Sequence, residues 1–354
     1  MEKNVRNPLI SYGIHITHND ADAVGCAVAL TMLDRMINYS NDTYFCTVGT
    51  QDDVLNKALD ELIESKEIEY IKSIVISDLS LKVETCKRLM DIAFEYDIRL
   101  LGVDHHETND LGEKYSWWHV ANTYPELKGD RQVSAAYLLF LLLLKCFGTD
   151  SYLKTMSFYN LLKVIEMISD YDTWEWRRHP EHPDDEIKED IVSIICKEYG
   201  PREMYKMIIV HFTKKDYNGK LFPDAFYDIY KLNITKRDRY LSTLDTVARV
   251  LVTEGNINCA MLISENDFNN AGAGYLYNSL YIDMVAVIYP STCRIGLRTD
   301  RDDINVAEIA KKYGGGGHQK AAGFKLSEKD FLKVMEKFYL EAEPYNEYLE
   351  NALK

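Results

Sequence analysis

Three clusters of acidic and imidazole side chains, each directly following a short apolar run, constrain this chain more than any other feature. Tyr12–Thr17 leads into His18-Asn19-Asp20-Ala21-Asp22, Ser73–Ser77 into Asp78, and Arg99–Val103 into Asp104-His105-His106. Apolar runs of this length read as strands. Helical patterns lie between them over Asp22–Ile37, Asp52–Glu64 and Leu81–Tyr96, with a further strand over Tyr44–Val48. Strands alternating with helices predict an α/β fold with a mostly parallel, five-stranded-type sheet and flanking helices. Ligands of such sheets bind at the carboxyl ends of the strands, so the three clusters are expected to converge.

Helices are expected over Val133–Phe147 and Tyr152–Ile168, the second leading into Ser169-Asp170-Tyr171-Asp172-Thr173-Trp174-Glu175-Trp176 and a charged stretch, Arg177 to Asp190. The apolar run Ala135–Leu144 falls short of the roughly 20 residues that span a bilayer and reads as a buried helix. Lys197–Asp245 is charged, Tyr-rich and weakly periodic, as a helical connector would be. Strands over Ala260–Ser264, Met284–Tyr289 and Cys293–Arg298, a helix over Asn305–Tyr313 and a tight loop at Gly314–Gly317 make a smaller α/β domain. The expected division is 1–195 for the domain bearing the polar clusters, 196–245 for the connector and 246–354 for the second domain.

Composition narrows the function classes. Seven cysteines are scattered over 354 residues without Cys-x-x-Cys spacing, which argues against a disulfide framework or a cysteine zinc site. Met1–Asn7 is polar and unlike a signal peptide, so the expected location is cytoplasmic, away from membranes. A net charge of −15 opposes long duplex nucleic acid, whose binding needs many cations on phosphates, and leaves short oligonucleotides open. Ser291–Lys325 runs the other way, with seven Lys or Arg against four Asp or Glu.

Taken singly, an Asp after a strand is often a helix cap and a His there is often only hydrogen-bonded. Five acidic residues and three histidines, all at the ends of consecutive elements, are hard to explain as caps. Two divalent cations roughly 3.5–4 Å apart need such a set, usually with one bridging carboxylate. Asp78 is the natural bridge, and the lack of thiolates favours Mn²⁺, with Mg²⁺ the alternative and zinc a third option. Four successive glycines would let backbone N–H groups approach a phosphate closely, with His318 and Lys320 beside them as donors. Arg298 could pair with a phosphate or stack on a base. Trp117, Trp118, Trp174 and Trp176 read as core packing ahead of base stacking.

With these residues on the page, the chain resembles the DHH phosphoesterases. His18-Asn19-Asp20-Ala21-Asp22-Ala23-Val24-Gly25, Asp78, Asp104-His105-His106 and Asp172-Thr173 are similar to that family's four ordered motifs, and Gly314–Phe324 to the glycine-rich signature of its associated carboxyl-terminal domain. The resemblance implies a two-metal-activated water, with one ion held by His18, Asp20 and Asp78 and the other by Asp22, Asp78, His105 and Asp172. It gives His106 the phosphate, Asp104 the orientation of the histidines, and Arg298, Gly315, Gly316, Gly317 and His318 the substrate, in a cleft between the domains. Ala23 stands where many relatives have glycine. Within the family the chain resembles the nanoRNase branch, NrnB-like and NrnA-like, which implies hydrolysis of short oligonucleotides to nucleoside monophosphates. The alternatives are a phosphatase or phosphodiesterase of a small nucleotide, such as 3′-phosphoadenosine 5′-phosphate or a cyclic or linear dinucleotide, and a non-catalytic nucleotide-binding protein. The resemblance leaves room for a homodimer.

Overall fold

The computed structural model describes residues 11–34, 39–47, 49–106, 109–121, 132–147, 156–173, 175, 190–253, 255–264, 268–277 and 281–352. Trp174, Trp176, nearly all of the charged stretch before Asp190, the start of the helix expected from Tyr152, and Met1–Asn7 lie outside the described residues. Two compact units divide the chain, Met1–Tyr230 and Lys231–Lys354.

Unit 1 is built on a sheet in which every strand pairs in parallel. β1 (Ser11–Thr17), β2 (Tyr39–Phe45), β3 (Ile71–Ser77), β4 (Arg99–Asp104) and β5 (Trp118–Val120) lie in the order β2-β1-β3-β4-β5. The crossovers are α1 (Ala21–Asp34), α2 (Gln51–Glu64) and α3 (Val83–Tyr96), and the short α4 (Leu111–Lys114) lies between β4 and β5. The strand order reverses between β1 and β3, so the loops leaving those two strands diverge and open a crevice at the sheet's carboxyl edge. Alternation within the strands sends Ile14, Ile16, Ile74 and Ile76 into a core shared with Leu55, Leu59 and Leu89 of α2 and α3. Burying side chains of this size contributes about 1.5–3 kcal/mol each.

On the other side of unit 1, α1 is lined by Ala23, Cys26, Ala27 and Val28, all fully buried. Such small side chains let it pack against α5 (Ala135–Phe147) and α6 (Met156–Asp172). Gly25 sits where these helices meet, and a Cβ there would lie 2.7 Å from Ala136 Cβ. The Leu-rich run expected to be a buried helix is α5, with Leu138, Leu139 and Phe140 fully buried. The residues expected as a connector fall in α7 (Ile191–Tyr199), α8 (Pro201–Thr213) and α9 (Asp224–Val247), and the boundary between the two units lies within α9. Among the described residues, no helix is long and apolar enough to cross a membrane.

Unit 2 holds a seven-stranded mixed sheet in the order β10-β11-β9-β8-β7-β6-β12. Its strands are β6 (Arg249–Val252), β7 (Asn258–Ile263), β8 (Met284–Tyr289), β9 (Arg294–Arg298), β10 (Gly316–His318), β11 (Ala321–Lys325) and β12 (Glu343–Pro344). One face carries Met261, Ile288 and Leu297 against α11 (Val306–Lys312) and α12 (Glu328–Leu340). The other carries Ala260, Leu262 and Val287 against Leu276 of α10 (Asn269–Tyr277) and Tyr345 of α13 (Tyr345–Ala352).

Two sequence expectations change. The strand expected over Tyr44–Val48 runs instead over Tyr39–Phe45, and Val48 lies outside the described residues. It is an edge strand pairing only with β1, so it carries a polar Ser40-Asn41-Asp42-Thr43 stretch without the apolar run that marks a buried strand. The expected glycine loop is in part a strand, because Gly316 and Gly317 belong to β10 and pair with Gly323 and Ala322.

Candidate metal centre

Strand register brings the three polar clusters together. Thr17, Ser77 and Val103 are lateral partners across β1, β3 and β4, so His18, Asp78 and Asp104 follow one residue later on adjacent strands. Asp172, the last residue of α6, meets them. His18 Nδ1 lies 2.6 Å from Asp20 Oδ2 and 3.8 Å from Asp78 Oδ2. His105 Nε2 lies 3.4 Å from Asp78 Oδ1 and 3.2 Å from Asp172 Oδ2. Potential ligand atoms fall into overlapping sets, His18 with Asp20 and Asp78, and Asp22 with His105 and Asp172, each set within 4.8 Å. A third set joins Asp78 to Asp104, His105 and His106. Asp78 recurs in two sets and approaches His105 of the other, the position a bridging carboxylate requires. Asp172 rather than Asp170 is the acidic residue of this stretch that enters a set.

The local backbone explains the presentation. Asp78 adopts a left-handed φ of 55°, which Asp tolerates better than most side chains, and its N–H donates to Val103 O at 2.9 Å. Asp20 Oδ1 accepts from Ala23 N at 3.0 Å and so caps α1 while Oδ2 faces His18. Ala23 lies inside α1, where a Cβ is favourable, so its departure from glycine introduces no strain.

The residues present fit divalent cations. Burial, then the charges of Asp22, Asp20 and Asp172, pushes Asp78 well above the usual carboxylate range. Asp22 is raised in the same way, by burial and then by Asp172 and Asp20, and Asp172 is pushed up to about 7 by burial first and Asp20 next. Crowded, buried carboxylates of this kind are stabilised as anions by a cation of high charge density. Asp78 Oδ2 is buried without a hydrogen-bond partner, as a coordinating oxygen would be. Burial, and then His106, pushes His105 down to about 4, which keeps its ring neutral as a metal-binding imidazole must be. Oxygen and imidazole donors without thiolate suit Mn²⁺ or Mg²⁺.

A surrounding layer of side chains holds these groups in place. Asp104 Oδ1 accepts from His105 N at 2.8 Å, His106 N at 3.3 Å and His106 Nδ1 at 2.8 Å, while Oδ2 takes Asn109 Nδ2. Both oxygens are therefore engaged in shaping the turn, and Asp104 orients the histidine pair. His106 remains more than half exposed, its ring centroid 4.4 Å from that of His105. The hydrogen bond to Asp104 raises its pKa, burial opposing. Asp22 also caps α5, its Oδ2 and Oδ1 accepting from Ala135 N at 3.0 Å and Ala136 N at 3.1 Å. Ser169 Oγ accepts from Ser134 N at 3.0 Å, and the buried Glu175 accepts from Gln132 N at 3.2 Å. Asn109, Ser134, Ser169 and Glu175 carried no sequence signal beyond polarity near a motif.

Trp118 is 3% exposed and Trp117 packs against the same core, so both serve packing. Gly102 makes room for Trp118, whose ring atoms would lie 2.4 Å from a Cβ at that position.

In unit 2 the glycine run has largely structural causes. Gly314, at φ 75°, and Gly315 end α11 in a Schellman motif, donating to Lys311 O at 3.0 Å and Ala310 O at 2.9 Å. A Cβ on Gly315 would lie 2.2 Å from Gly323 O, and one on Gly317, at φ 140°, 2.5 Å from Ala321 O. Gly316 alone of the four has an ordinary φ and nothing within 4 Å of a Cβ, so neither backbone nor packing demands glycine there. Arg298 ends β9, half-buried, with Nη1 donating to Leu297 O at 2.9 Å. His318 lies on β10, its side chain outside what is described.

Residues 263–341 match the DHHA1 domain. The chain is 26% identical to oligoribonuclease NrnB of Bacillus subtilis over 333 residues, covering 92% of this chain and 75% of that protein. Its fold is similar to the pGpG-specific phosphodiesterase PggH of Vibrio cholerae, with a TM-score of 0.54 at 15% identity over 92% of this chain and 96% of that one. RecJ of Thermus thermophilus, solved in complex with Mn²⁺, is similar with a TM-score of 0.50 at 14% identity, over 92% of this chain and 51% of that one. The chain thus carries a DHHA1 domain and resembles the DHH phosphoesterases over most of its length.

Proposed function

We propose that this chain is a DHH-family phosphodiesterase that hydrolyses short oligonucleotides to nucleoside monophosphates. The observation that carries the reading is Asp78, a buried carboxylate shared between ligand sets at the strand-order reversal of a parallel sheet. The similarity to an oligoribonuclease over most of both chains supports the substrate class.

His18, Asp20 and Asp78 would hold one cation and Asp22, Asp78, His105 and Asp172 the other, Mn²⁺ being the best match to this donor set. When bound, such a pair lowers the pKa of water toward neutrality and neutralises charge developing on the phosphate. The protein's own contribution is orientation. Asp104 accepts from His106 Nδ1, which directs that proton inward and leaves Nε2 to meet a phosphate oxygen. Arg298 and Gly316 of unit 2 are assigned to the substrate, Gly316 because its missing side chain has no other cause in the structure. A decayed, purely binding protein would have lost ligand positions, whereas each position here has a metal-competent residue.

The test is Mn²⁺-dependent hydrolysis of 5′-labelled RNA dimers, pentamers and 24-mers beside 3′-phosphoadenosine 5′-phosphate and cyclic dinucleotides. Preference for dimers to pentamers is expected. Faster trimming of the 24-mer, or turnover of a single small nucleotide alone, overturns the assignment.

A further inference from the structure

Where one face of β1 and β3 buries Ile14, Ile16, Ile74 and Ile76, the other buries polar side chains. His15, Thr17 and Ser77 are each fully buried. Ser77 Oγ lies 2.8 Å from His15 Nε2 and 2.9 Å from Thr17 Oγ1. His15 Nδ1 is 3.4 Å from Thr43 Oγ1 on β2. Burial alone pushes His15 down to about 3, so the ring is neutral. One proton arrangement uses every group: Nδ1–H toward Thr43, Ser77 O–H to Nε2, and Thr17 O–H to Ser77 Oγ.

Position gives this network its meaning. Thr17 and Ser77 are lateral partners, and the next residues along their strands are His18 and Asp78. Ser77 Oγ thus ties together β1 and β3, the strands whose ends present His18 and Asp78. Aliphatic side chains would fill the same space without the desolvation cost of three polar groups. Hydrogen bonds instead fix one lateral geometry, which dispersion contacts do not.

Resting on the metal-centre reading above, we infer that the His15–Ser77–Thr17 network is a positioning device for divalent-cation binding, locking together the strand ends that present His18 and Asp78. Thr17 and Ser77 act through the ligands beside them and touch neither cation nor substrate.

The experiment titrates the full chain with Mn²⁺, reading free Mn²⁺ by electron paramagnetic resonance, for wild type, Thr17→Val, Thr17→Ser, Ser77→Ala and Asp78→Ala. Thr17→Val keeps the shape and removes the hydroxyl, whereas Thr17→Ser keeps the hydroxyl. Loss of a supporting hydrogen bond typically weakens metal binding about 10–100-fold, so that loss is expected in Thr17→Val and Ser77→Ala, with near wild-type affinity in Thr17→Ser. Wild-type affinity in Thr17→Val and Ser77→Ala, with binding abolished in Asp78→Ala, overturns the positioning role and leaves the metal centre standing. Absence of Mn²⁺ binding in wild type overturns both. If one hydroxyl variant fails to fold, the other decides. Failure of both shows that the network holds the fold rather than the site.

Discussion

Asp78 is held in place against its own charge, and a neutral replacement separates the cost from the use. The isosteric Asp78→Asn removes a buried carboxylate repelled by Asp22, Asp20 and Asp172. Metal-free protein is therefore expected to gain on the order of 1–2 kcal/mol in urea unfolding. The same variant is expected to lose turnover by about 1,000-fold or more, since a metal supplies several kcal/mol at the transition state. Turnover near wild type would refute the shared ligand. His15 gives the opposite sign with pH. Its folded pKa of about 3 lies below its ordinary 6.5, so its contribution is complete above pH 6.5 and is lost as pH falls from there toward 3. The loss amounts to about 2 kcal/mol near pH 5. Asp22, Asp78 and Asp172, with raised values, drift the other way on acidification. The measurement is thus a difference between urea midpoints of wild type and His15→Val at pH 7 and 5. Wild type should lose more stability than the variant over that interval, and equal losses would place a charged imidazole in the folded protein.

At the scale of elements, glycines separate fold from function. Gly25→Ala places a methyl 2.7 Å from Ala136 Cβ and 3.2 Å from Ile168, pressing α1 away from the two helices it joins. Overpacking of this kind costs about 1–3 kcal/mol, and moving α5 also moves the N–H groups that Asp22 holds. Gly315→Ala should destabilise unit 2 by a similar amount, because its Cβ runs into backbone that cannot yield. Gly316→Ala should leave the melting temperature unchanged and raise KM more than it lowers kcat, which steady-state kinetics reads directly. An unchanged KM would remove Gly316 from the substrate set. These contrasts also mark what the sequence can disclose. The parallel sheet and its converging clusters were legible because buried strands are apolar runs that stop abruptly at charge. β2 was misplaced because a polar edge strand carries little pattern, and β5, β6, β11 and β12 went unseen because runs this short carry little more. The Asp22 cap on α5, the Asn109 bond to Asp104 and the Ser77 hub were illegible: each joins ordinary residues whose partners come from separate turns or elements. The glycine run was visible, yet its steric causes depend on β11, which only the fold brings beside it.

For the molecule as a whole, a net charge of −15 works against the proposed encounter with phosphates, and the two units carry it differently. In unit 1 the excess includes the clustered carboxylates of the candidate centre, whose repulsion bound cations would neutralise. In unit 2, Ser291–Lys325 is locally basic and needs no metal to meet an anion. Cation binding should therefore stabilise the chain unevenly. At 100 times its dissociation constant a ligand of the folded state contributes about 2.7 kcal/mol. Adding Mn²⁺ to metal-free protein should slow hydrogen exchange by up to that amount at the ends of β1, β3 and β4 and in the first turn of α1, while β7, β8 and β9 stay unchanged. A chelator should reverse the effect. Phosphate or a short oligonucleotide added without metal should show the complementary pattern, protecting residues 314–323 and leaving β1 and β3 as they were. Uniform protection of both units by Mn²⁺ would mean that the cation acts by screening the net charge, and Na⁺ at matched ionic strength would then reproduce it. Protection confined to unit 1 and insensitive to Na⁺ is the outcome a built divalent-cation centre requires.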